Sequence, residues 1–254
     1  MNESSDNSPG RLVKRVGRVL GVWGTNAQYR YFECVEACPS AARWLDVGCG
    51  RRIVPEWMVW EPRRCRDLLA RFGLRVGVDV PYMSRNDEVQ HRVAARIEKL
   101  AMADAAFGLI TANMVVEHVE DPEEALVEVR RVLSSGGRFV FHTPNLLYPS
   151  MLLGHAATLL LPQKLKNRLV GAIEGRNEGD VFPTRYRCNT RGRIRRLARR
   201  AGLEVERLET VESIPSSLRS AQVVAVAELI FMWIVRMLRL SGLRSNLVVV
   251  LRKP

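Results

Sequence analysis

Short apolar β-type runs alternate with amphipathic helical stretches along most of this chain, and this alternation restricts its fold more than any other feature. Strands that alternate with helices of about 10–15 residues favour a largely parallel sheet with helices on both faces. The sequence therefore predicts an α/β fold. The β-type runs are residues 44–47, 74–80, 107–112, 138–143, 203–208 and 247–251, and the helical stretches are residues 62–72, 122–133 and 190–201.

The composition is that of a globular protein. The chain has 254 residues, of which 47% are apolar and 26% are charged. It is therefore long enough to bury a core and is unlike disordered, collagen-like or disulfide-stapled chains. We expect a disordered tail over residues 1–10, a helical cover over residues 11–42 and the α/β domain over residues 43–254. Within that domain we expect a lid over residues 146–189 and an apolar helix over residues 218–241.

Basic residues outnumber acidic ones, 39 to 27, which gives a net charge of +12. Five of the 39 are lysines, so 34 are arginines, whose guanidinium forms bidentate hydrogen bonds to phosphate and carboxylate groups. This balance is compatible with nucleic acid, with an anionic membrane surface and with an acidic substrate. A compositional bias toward arginine explains it equally well, so charge alone selects no partner.

Residues 11–22 predict an amphipathic helix. Its apolar and basic residues fall on opposite faces, which is typical of a helix at a membrane or partner surface and also of a cover helix with a solvated basic face. The apolar stripe comprises Leu12, Val13, Val16, Val19 and Leu20, and the basic face comprises Arg11, Lys14, Arg15 and Arg18.

The five cysteines form no pair with metal-binding or redox spacing, so we expect reduced thiols and no metal. The N-terminal stretch is polar, unlike a signal peptide, and no apolar run reaches the roughly 18 residues of a spanning helix. These features predict a cytoplasmic protein, with peripheral contact at the inner face of the membrane as an alternative.

Ligands of parallel α/β sheets bind beyond the carboxyl ends of the strands. The first strand runs into the segment LDVGCG (residues 45–50), where Gly48 and Gly50 allow the backbone to approach a ligand. The second strand ends at Asp79, whose carboxylate is placed to accept hydrogen bonds from both hydroxyls of a ribose. Asp67 has the more usual spacing from the glycines, but it falls in a helical stretch, so Asp79 is preferred.

Several segments, in this order, resemble the motifs of class I S-adenosylmethionine-dependent methyltransferases. They are LDVGCG (45–50), GVDV (77–80), NMVVEHVEDPEEAL (113–126), RVLSSGGRFVFHTPN (131–145) and TRYRCNT with RLARRAGLEV (184–205). The chain is similar in particular to the ubiquinone-pathway O-methyltransferases and to methyltransferases of polysaccharide and lipid biosynthesis. This resemblance implies a Rossmann-like fold with a mostly parallel seven-stranded sheet, helices on both faces and an antiparallel edge strand, to which residues 247–251 fit.

The resemblance also implies S-adenosyl-L-methionine as the cofactor and assigns residues to it. Asp46 would hold the methionine ammonium group, Asp79 the ribose and Glu98 the adenine amino group. The complete implied cofactor set is Asp46, Gly48, Cys49, Gly50, Asp79, Glu98, Leu100, Asn113 and Met114.

Two positions depart from the family pattern. Arg52 stands where the first motif has its third glycine, so the entry from this loop into the next helix must differ. Gly108 stands where an aspartate commonly follows the phenylalanine at the fourth strand. A reshaped cofactor loop and a chain that binds the cofactor poorly are both compatible with the first departure.

Methyl transfer from a sulfonium is an in-line displacement, so the protein mainly aligns the nucleophile and removes its proton. His118 is the candidate general base, because an imidazole titrates near neutral pH, and Glu117 is the alternative.

The candidate acceptor-binding residues are Asn145, Arg185, Tyr186 and Arg187. An Asx turn explains Asn145 equally well. A solvated basic loop explains the other three residues equally well.

Together these features predict a methyltransferase that acts on an oxygen of a small-molecule, saccharide or lipid-linked acceptor. One alternative is a degenerate, non-catalytic module that binds a membrane or a protein. The other is an RNA methyltransferase, which is supported only by the positive net charge. Apolar residues 151–161 and 221–240 adjoin basic residues. This is compatible with a lid resting on an anionic bilayer, and also with an internal lid and a packing or homodimer helix.

Overall fold

The computed structural model describes residues 11–22, 26–55, 61–80, 86–160, 183–213 and 222–254. Within these ranges the strands are β1 (Ala41–Val47), β2 (Phe72–Asp79), β3 (His91–Ala94), β4 (Phe107–Asn113), β5 (Leu133–Pro144), β6 (Glu204–Val211) and β7 (Asn246–Arg252). The helices are α1 (Arg11–Val19), α2 (Ala27–Glu36), α3 (Pro62–Ala70), α4 (Pro122–Val132), α5 (Pro149–Leu160), α6 (Arg191–Arg200) and α7 (Gln222–Met237), with 3-10 turns at Val116–His118 and Ser241–Leu243.

These strands form one sheet in the order β3-β2-β1-β4-β5-β7-β6. Strand β1 lies between β2 and β4 and is parallel to both, and the pairs β2–β3 and β4–β5 are parallel as well. The strand order therefore reverses between β1 and β4, which is where open α/β sheets bind ligands. The predicted Rossmann-like, mostly parallel sheet is confirmed.

Strand β7 is antiparallel to β5. Gly136 N, near the start of β5, donates to Lys253 O, just beyond the end of β7, at 2.9 Å, and Lys253 N donates to Gly137 O at 3.0 Å. Residues 247–251, expected at the sheet edge, instead lie between β5 and β6, and β6 is the edge strand. Five consecutive residues of β7 are buried, as an inner strand covered on both faces requires.

Strand β3 left no signal in the sequence. Its four residues are exposed or half-buried at the other edge of the sheet, so they show neither an apolar run nor an alternation of apolar and polar residues.

The sheet buries apolar side chains on both faces. Leu45, Ile110 and Phe139 belong to a cluster that includes residues of α4 and α6. Trp44, the neighbour of Leu45 along β1, points to the other face and is also buried, with its ring centroid 4.8 Å from that of Phe72. Burial on both faces explains why the strands are continuous apolar runs in the sequence.

The glycine at position 108 has a packing cause. A Cβ on Gly108 would lie 2.6 Å from the Cβ of Ala41 in the neighbouring strand β1. The pairing of β4 with β5 also shifts register here, between Phe107 and Leu109. An aspartate would not fit this approach, so this departure from the family pattern reflects local strand packing.

The chain contains two compact units. The sheet unit comprises Gln28–Pro144, Thr184–Glu209 and Leu247–Pro254, and the helical unit comprises Met1–Ala27, Asn145–Pro183 and Thr210–Asn246. In the helical unit, α1 packs on α7 through a cluster of Val13, Val22, Ala225, Leu229 and Met232. The predicted homodimer contact through α7 remains a prediction, although this helix also exposes Val223, Ile230, Ile234 and Met237.

Parts of the predicted domain organisation fall on residues that are not described. The predicted tail (residues 1–10), residues 161–182 of the predicted lid and residues 218–221 of the predicted apolar helix lie outside the described ranges. Helices α5 and α7 occupy described parts of the lid and of the apolar segment, and the boundaries of both remain predictions. In the described part of the chain, no helix is both long and apolar enough to cross a bilayer.

Helix α4 should depend on the side chain that caps it. Asp121 Oδ1 accepts hydrogen bonds from the backbone N of Glu123 and of Glu124, each at 3.0 Å. Because these amides have no partner within the helix, we expect Asp121→Ala to lower the free energy of unfolding in urea by about 1 kcal/mol, and Asp121→Asn, which keeps an acceptor, to lower it by less than about 0.5 kcal/mol. Equal losses in the two variants would contradict the capping role.

Candidate functional site

A tight turn, Gly48 to Gly50, follows β1 at the point where the strand order reverses. Gly48 N and Cys49 N both donate to Val78 O, at 2.7 and 3.2 Å, which ties the turn to the end of β2. Gly48 has a φ of +70°, and a Cβ on it would lie 2.3 Å from Val115 Cγ2. Only glycine fits both the conformation and the close approach. The turn therefore brings together the end of β1, the end of β2 and the segment after β4.

Asp79, the last residue of β2, turns its carboxylate toward this turn. Its Oδ2 accepts from Gly50 N at 2.9 Å and its Oδ1 accepts from Val80 N at 2.8 Å. Each oxygen keeps a further lone-pair site. Among the described atoms outside Gly50 and its two chain neighbours, none lies within 4 Å of the position that a Cβ on Gly50 would occupy. The carboxylate can therefore accept two more hydrogen bonds, as the predicted ribose contact requires. Asp67, by contrast, lies exposed on α3.

Asp46 is buried in β1 directly beside β4. The hydroxyl of Thr111, its partner residue in β4, donates to Asp46 Oδ1 and accepts from Trp44 Nε1 at 2.7 Å. The buried Tyr31 of α2 lies close to Thr111 and Asp46. Burial raises the pKa of the Asp46 carboxyl to about 8, although the hydrogen bond from Thr111 opposes this shift. Asp46 is therefore a carboxyl that would gain from an arriving cation.

Asn113 and Met114 lie at the end of β4, as predicted. Asn113 Oδ1 is 2.9 Å from His142 Nδ1 of β5, and Asn113 Nδ2 donates to Gln28 Oε1 of α2 at 2.9 Å. Met114 has a φ of +58° and leaves 39% of its surface exposed. The ring of Tyr31 lies 6.1 Å from that of His142. Polar and aromatic groups therefore surround the strand end at which the sequence places the sulfonium.

Sequence reasoning missed three residues of this arrangement, namely Gln28, Tyr31 and Thr111. Thr111 had a usable signal, because it is a polar residue within the apolar run of strand β4, before the terminal Asn113. The two α2 residues had none, since only tertiary packing places a helix that precedes β1 beside the ends of β4 and β5.

Glu117 is buried and anchors a polar chain. Its Oε2 accepts from the hydroxyl of Thr143 at 2.8 Å, and Asn189 Nδ2 donates to Thr143 Oγ1 at 2.7 Å. Burial raises the pKa of Glu117 to about 7. The contacts of this carboxyl are structural, and its role as a base remains a prediction, as does that of His118, which is half-buried at the end of the 3-10 turn.

The predicted acceptor loop is held by the same segment. Arg185 N and Tyr186 N both donate to Glu117 O, at 2.6 and 3.0 Å. The guanidinium of Arg185 pairs with Glu120 at 3.0 Å, and that of Arg187 donates to Glu120 O at 2.6 Å. Both arginines thus hold the loop in place, and their contact with an acceptor remains a prediction.

Two other predicted residues make local contacts in the sheet unit. Glu98 Oε1 accepts from Glu120 N at 3.1 Å and pairs with Arg96 at 3.3 Å. Leu100 is buried, and its N donates to Glu128 Oε1 at 2.8 Å. These contacts fix the loop after β3, and the predicted adenine contacts of both residues remain predictions.

Asn145, in the helical unit, is buried and forms hydrogen bonds through both atoms of its side-chain amide. Its Nδ2 donates to Gly242 O and Arg244 O at 2.9 and 2.7 Å, and its Oδ1 accepts from Leu147 N at 3.2 Å. The last of these bonds closes an Asx turn, and the contact of Asn145 with an acceptor remains a prediction.

The other departure, Arg52, is exposed on a loop. No helix occurs in residues 48–55, and the next described helix begins at Pro62. Residues 51–55 therefore leave the turn without the helix entry for which a third glycine is suited. Among the described residues, no group of three or more His, Cys, Asp or Glu side chains is arranged to hold a metal ion.

A family model described as a methyltransferase domain matches residues 25–208, which include every residue of this site. The chain belongs to that family. The resemblance to class I S-adenosylmethionine-dependent methyltransferases is thereby confirmed, and S-adenosylmethionine is the cofactor of the family.

Curated relatives of this methyltransferase carry similar names. The malonyl-[acyl-carrier protein] O-methyltransferase of Pseudescherichia vulneris is 44% identical over 101 residues, which are 39% of this chain and 38% of that protein. The ubiquinone biosynthesis O-methyltransferase of Idiomarina loihiensis is 31% identical over 115 residues, 44% of this chain and 46% of that protein. The matched segments span less than half of either relative.

Solved structures share the fold. Geranyl diphosphate C-methyltransferase from Streptomyces coelicolor, in complex with S-adenosyl-L-homocysteine, superposes with a TM-score of 0.53 over 90% of this chain and 78% of that chain, at 17% identity.

The residues present fit the cofactor. The buried carboxyl of Asp46 suits an ammonium group, and the free lone pairs of Asp79 suit ribose hydroxyls beside the open space at Gly50. Gly48 and Gly50 have no Cβ, so a ligand can approach the backbone between these two carboxyls.

The fit of Gly48 against Val115 gives a first test of the turn. We expect Gly48→Ala to lower the free energy of unfolding by about 1–2 kcal/mol, because alanine is strained at positive φ and its Cβ meets Val115. In a Val115→Ala background the loss should be smaller, since one source of strain is gone. Urea denaturation of the four chains, combined as a double-mutant cycle, measures the difference. An equal loss in both backgrounds would contradict the close approach.

The raised pKa of Glu117 gives a second test. Because the pKa is about 7 in the folded chain, the folded state binds more protons than the unfolded state between the ordinary carboxyl range and neutral pH. Stability contributed by this group therefore falls as the pH rises through that window. Glu117→Gln should gain stability relative to the unmodified chain from about pH 5 to about pH 8, by at most about 3 kcal/mol in urea unfolding.

The matched control for this test is Glu124→Gln, which neutralises an exposed carboxyl on α4. Its stability difference from the unmodified chain should be nearly the same at both pH values. A pH-independent difference for Glu117→Gln would show that Glu117 is charged in the folded protein at both values.

Proposed function

We propose that this chain transfers the methyl group of S-adenosylmethionine to an oxygen of a small-molecule, saccharide or lipid-linked acceptor. The observation that carries the proposal is the convergence of Asp46, the Gly48–Gly50 turn and Asp79 at the point where the strand order reverses. The choice of oxygen is supported by the names of the relatives, which include malonyl-[acyl-carrier protein] and ubiquinone biosynthesis O-methyltransferases.

The work of the protein in this reaction is binding and alignment. S-adenosylmethionine, when bound, supplies a methyl group that its positive sulfur already activates. Asp79 would orient the ribose and Asp46 the ammonium group, so that the methyl group is held near Asn113 and Met114 at the end of β4. Holding the acceptor oxygen in line with that methyl group supplies most of the remaining acceleration.

The acceptor oxygen must lose a proton if it arrives as a hydroxyl. His118 is the proposed base, because it is half-buried in the segment that follows β4 and an imidazole nitrogen can accept a proton. A carboxylate acceptor, such as the malonyl group in the name of one relative, would need no base.

Cofactor binding is tested by titrating the chain with S-adenosylhomocysteine in a calorimeter. We expect Asp79→Ala to weaken binding at least tenfold, about 1.4 kcal/mol, because two hydroxyl acceptors are lost. Asp67→Ala, which removes an exposed aspartate of α3, should leave binding unchanged. Equal binding by all three chains would contradict the ribose role of Asp79, and no binding by the unmodified, folded chain would overturn the proposed function.

The acceptor class is tested by measuring release of S-adenosylhomocysteine with a malonyl thioester, a phenol and a lipid-linked sugar. For a hydroxyl acceptor, His118→Ala should lower the rate about 10²-fold or more without weakening cofactor binding. His91→Ala, on the edge strand β3, is the matched control. A primary amine completes the set of acceptors, and its methylation in the absence of any turnover of the oxygen acceptors would contradict O-methylation.

A further inference from the structure

Helix α1 carries only positive charge. Its nine residues, RLVKRVGRV, include four basic residues and no acidic residue in the first turn or beyond. Arg11, Lys14, Arg15 and Arg18 are three or four residues apart, and like charges at these spacings repel each other. Arg11 also stands at the positive end of the helix dipole. The helix is thus electrostatically unfavourable by itself, and a counter-charge would stabilise it.

The packing of α1 turns these charges outward. Val13 and Gly17 are buried on one face, and Val13 packs with Leu229 and Met232 of α7. Arg236 of α7 adds a hydrogen bond from Nη1 to Gly21 O at 2.6 Å, just beyond the end of the helix. The basic residues lie away from this buried face, where Arg11, Arg15 and Arg18 are exposed and Lys14 is half-buried.

The described part of the chain supplies no counter-charge to this face. The ion pairs found there join other arginines to glutamates or aspartates, and none includes a basic residue of α1. Among the described residues, those that line an open surface depression of about 400 Å³ here are Arg11, Lys14, Arg15, Arg18 and Val19.

Exposed apolar side chains flank the basic face. Val19 is 80% exposed and Leu12 is 59% exposed, so two residues of the predicted apolar stripe are not buried by α7. Apolar side chains beside cationic ones are what a helix needs at the boundary between lipid headgroups and hydrocarbon. A polyphosphate chain such as RNA would gain nothing from them, and α1 has no aromatic residue on which a base could stack.

Helix α6 shows the contrast. Its sequence, RGRIRRLARR, is also basic, and Arg195 and Arg199 are exposed. Its apolar residues Ile194 and Leu197 are buried, however, and no large apolar side chain accompanies the exposed arginines. Helix α6 therefore presents basic charge alone, whereas α1 presents basic charge beside exposed apolar side chains. A comparison of the two helices distinguishes the effects of these features.

We propose that the basic face of α1 docks this chain on an anionic lipid bilayer. The guanidinium and ammonium groups would lie at the level of the lipid phosphates, and Leu12 and Val19 would enter the boundary with the acyl chains. The net charge of +12 steers the chain to such a surface, and the attraction falls within about a Debye length. This proposal stands independently of the methyl acceptor.

The test is co-sedimentation of the full chain with vesicles of phosphatidylcholine alone and with vesicles of equal parts phosphatidylcholine and phosphatidylglycerol. We expect binding to the anionic vesicles only, and weaker binding as salt is raised. The double variant Lys14→Glu/Arg18→Glu should bind at least tenfold more weakly. The matched control, Arg195→Glu/Arg199→Glu, makes the same charge change on α6 and should bind within twofold of the unmodified chain.

A third variant separates the lipid surface from other polyanions. Leu12→Ser/Val19→Ser keeps every charge. We nevertheless expect this variant to bind the anionic vesicles several-fold more weakly than the unmodified chain, with unchanged thermal unfolding. The proposal is overturned if the unmodified chain ignores anionic vesicles or if the α1 and α6 charge reversals weaken binding equally. It is also overturned if the serine variant binds vesicles normally while RNA or polyglutamate binds the unmodified chain more tightly, since a soluble polyanion would then be the partner.

Discussion

The parallel pairing of β1 with a strand on each side is the constraint on which the site depends. Because β2 and β4 both run parallel to β1, Asp79, the glycine turn and Asn113 emerge at the same edge of the sheet. The turn closes there because Gly48 accepts a φ of +70° against Val115, and Asp79 then holds Gly50 in place. A shift of one residue in the register would turn every side chain of β1, including Asp46, to the opposite face.

Among the described residues of the sheet unit two carboxyls are buried, and their surroundings give them different roles. Asp46 and Glu117 each receive a hydrogen bond from a threonine hydroxyl of a neighbouring strand, and burial raises the pKa of both toward neutrality. Asp46 lies two residues before the glycine turn, where a bound cation would favour its charged form. Glu117 instead supports a chain of side chains that ends at Asn189, and its own carbonyl holds the loop at Arg185.

The features that the sequence predicted depend on local patterns, and the features that it missed depend on packing between segments that are distant in the sequence. The strand runs, the glycine turn and Asp79 follow from patterns within a few residues, and the structure has them where the sequence puts them. The position of β7 between β5 and β6 depends on which surface remains free when the other strands have paired, and no segment states that by itself. Gln28 and Tyr31 reach the site because α2 packs across strand ends that lie far away in the sequence. The amide of Asn145 donates to carbonyls about a hundred residues away, contacts that no local sequence pattern predicts.

The arginines of this chain also depend on tertiary packing for their role, because their position in the fold, and not their number, decides what they contact. In the sheet unit many guanidinium groups form ion pairs and hydrogen bonds that hold the fold together. Arg131 binds the carboxylate of Glu128 and the carbonyls of Leu100 and Met102, and so fastens the loop before β4 to α4. Such an arginine is a planar clamp for backbone oxygens, and its charge carries no information about partners. The basic residues of α1 differ because the fold turns them outward, leaves them without an ion pair among the described residues and sets exposed apolar side chains beside them. A net charge therefore becomes informative about partners only after the arginines that hold loops have been subtracted from it.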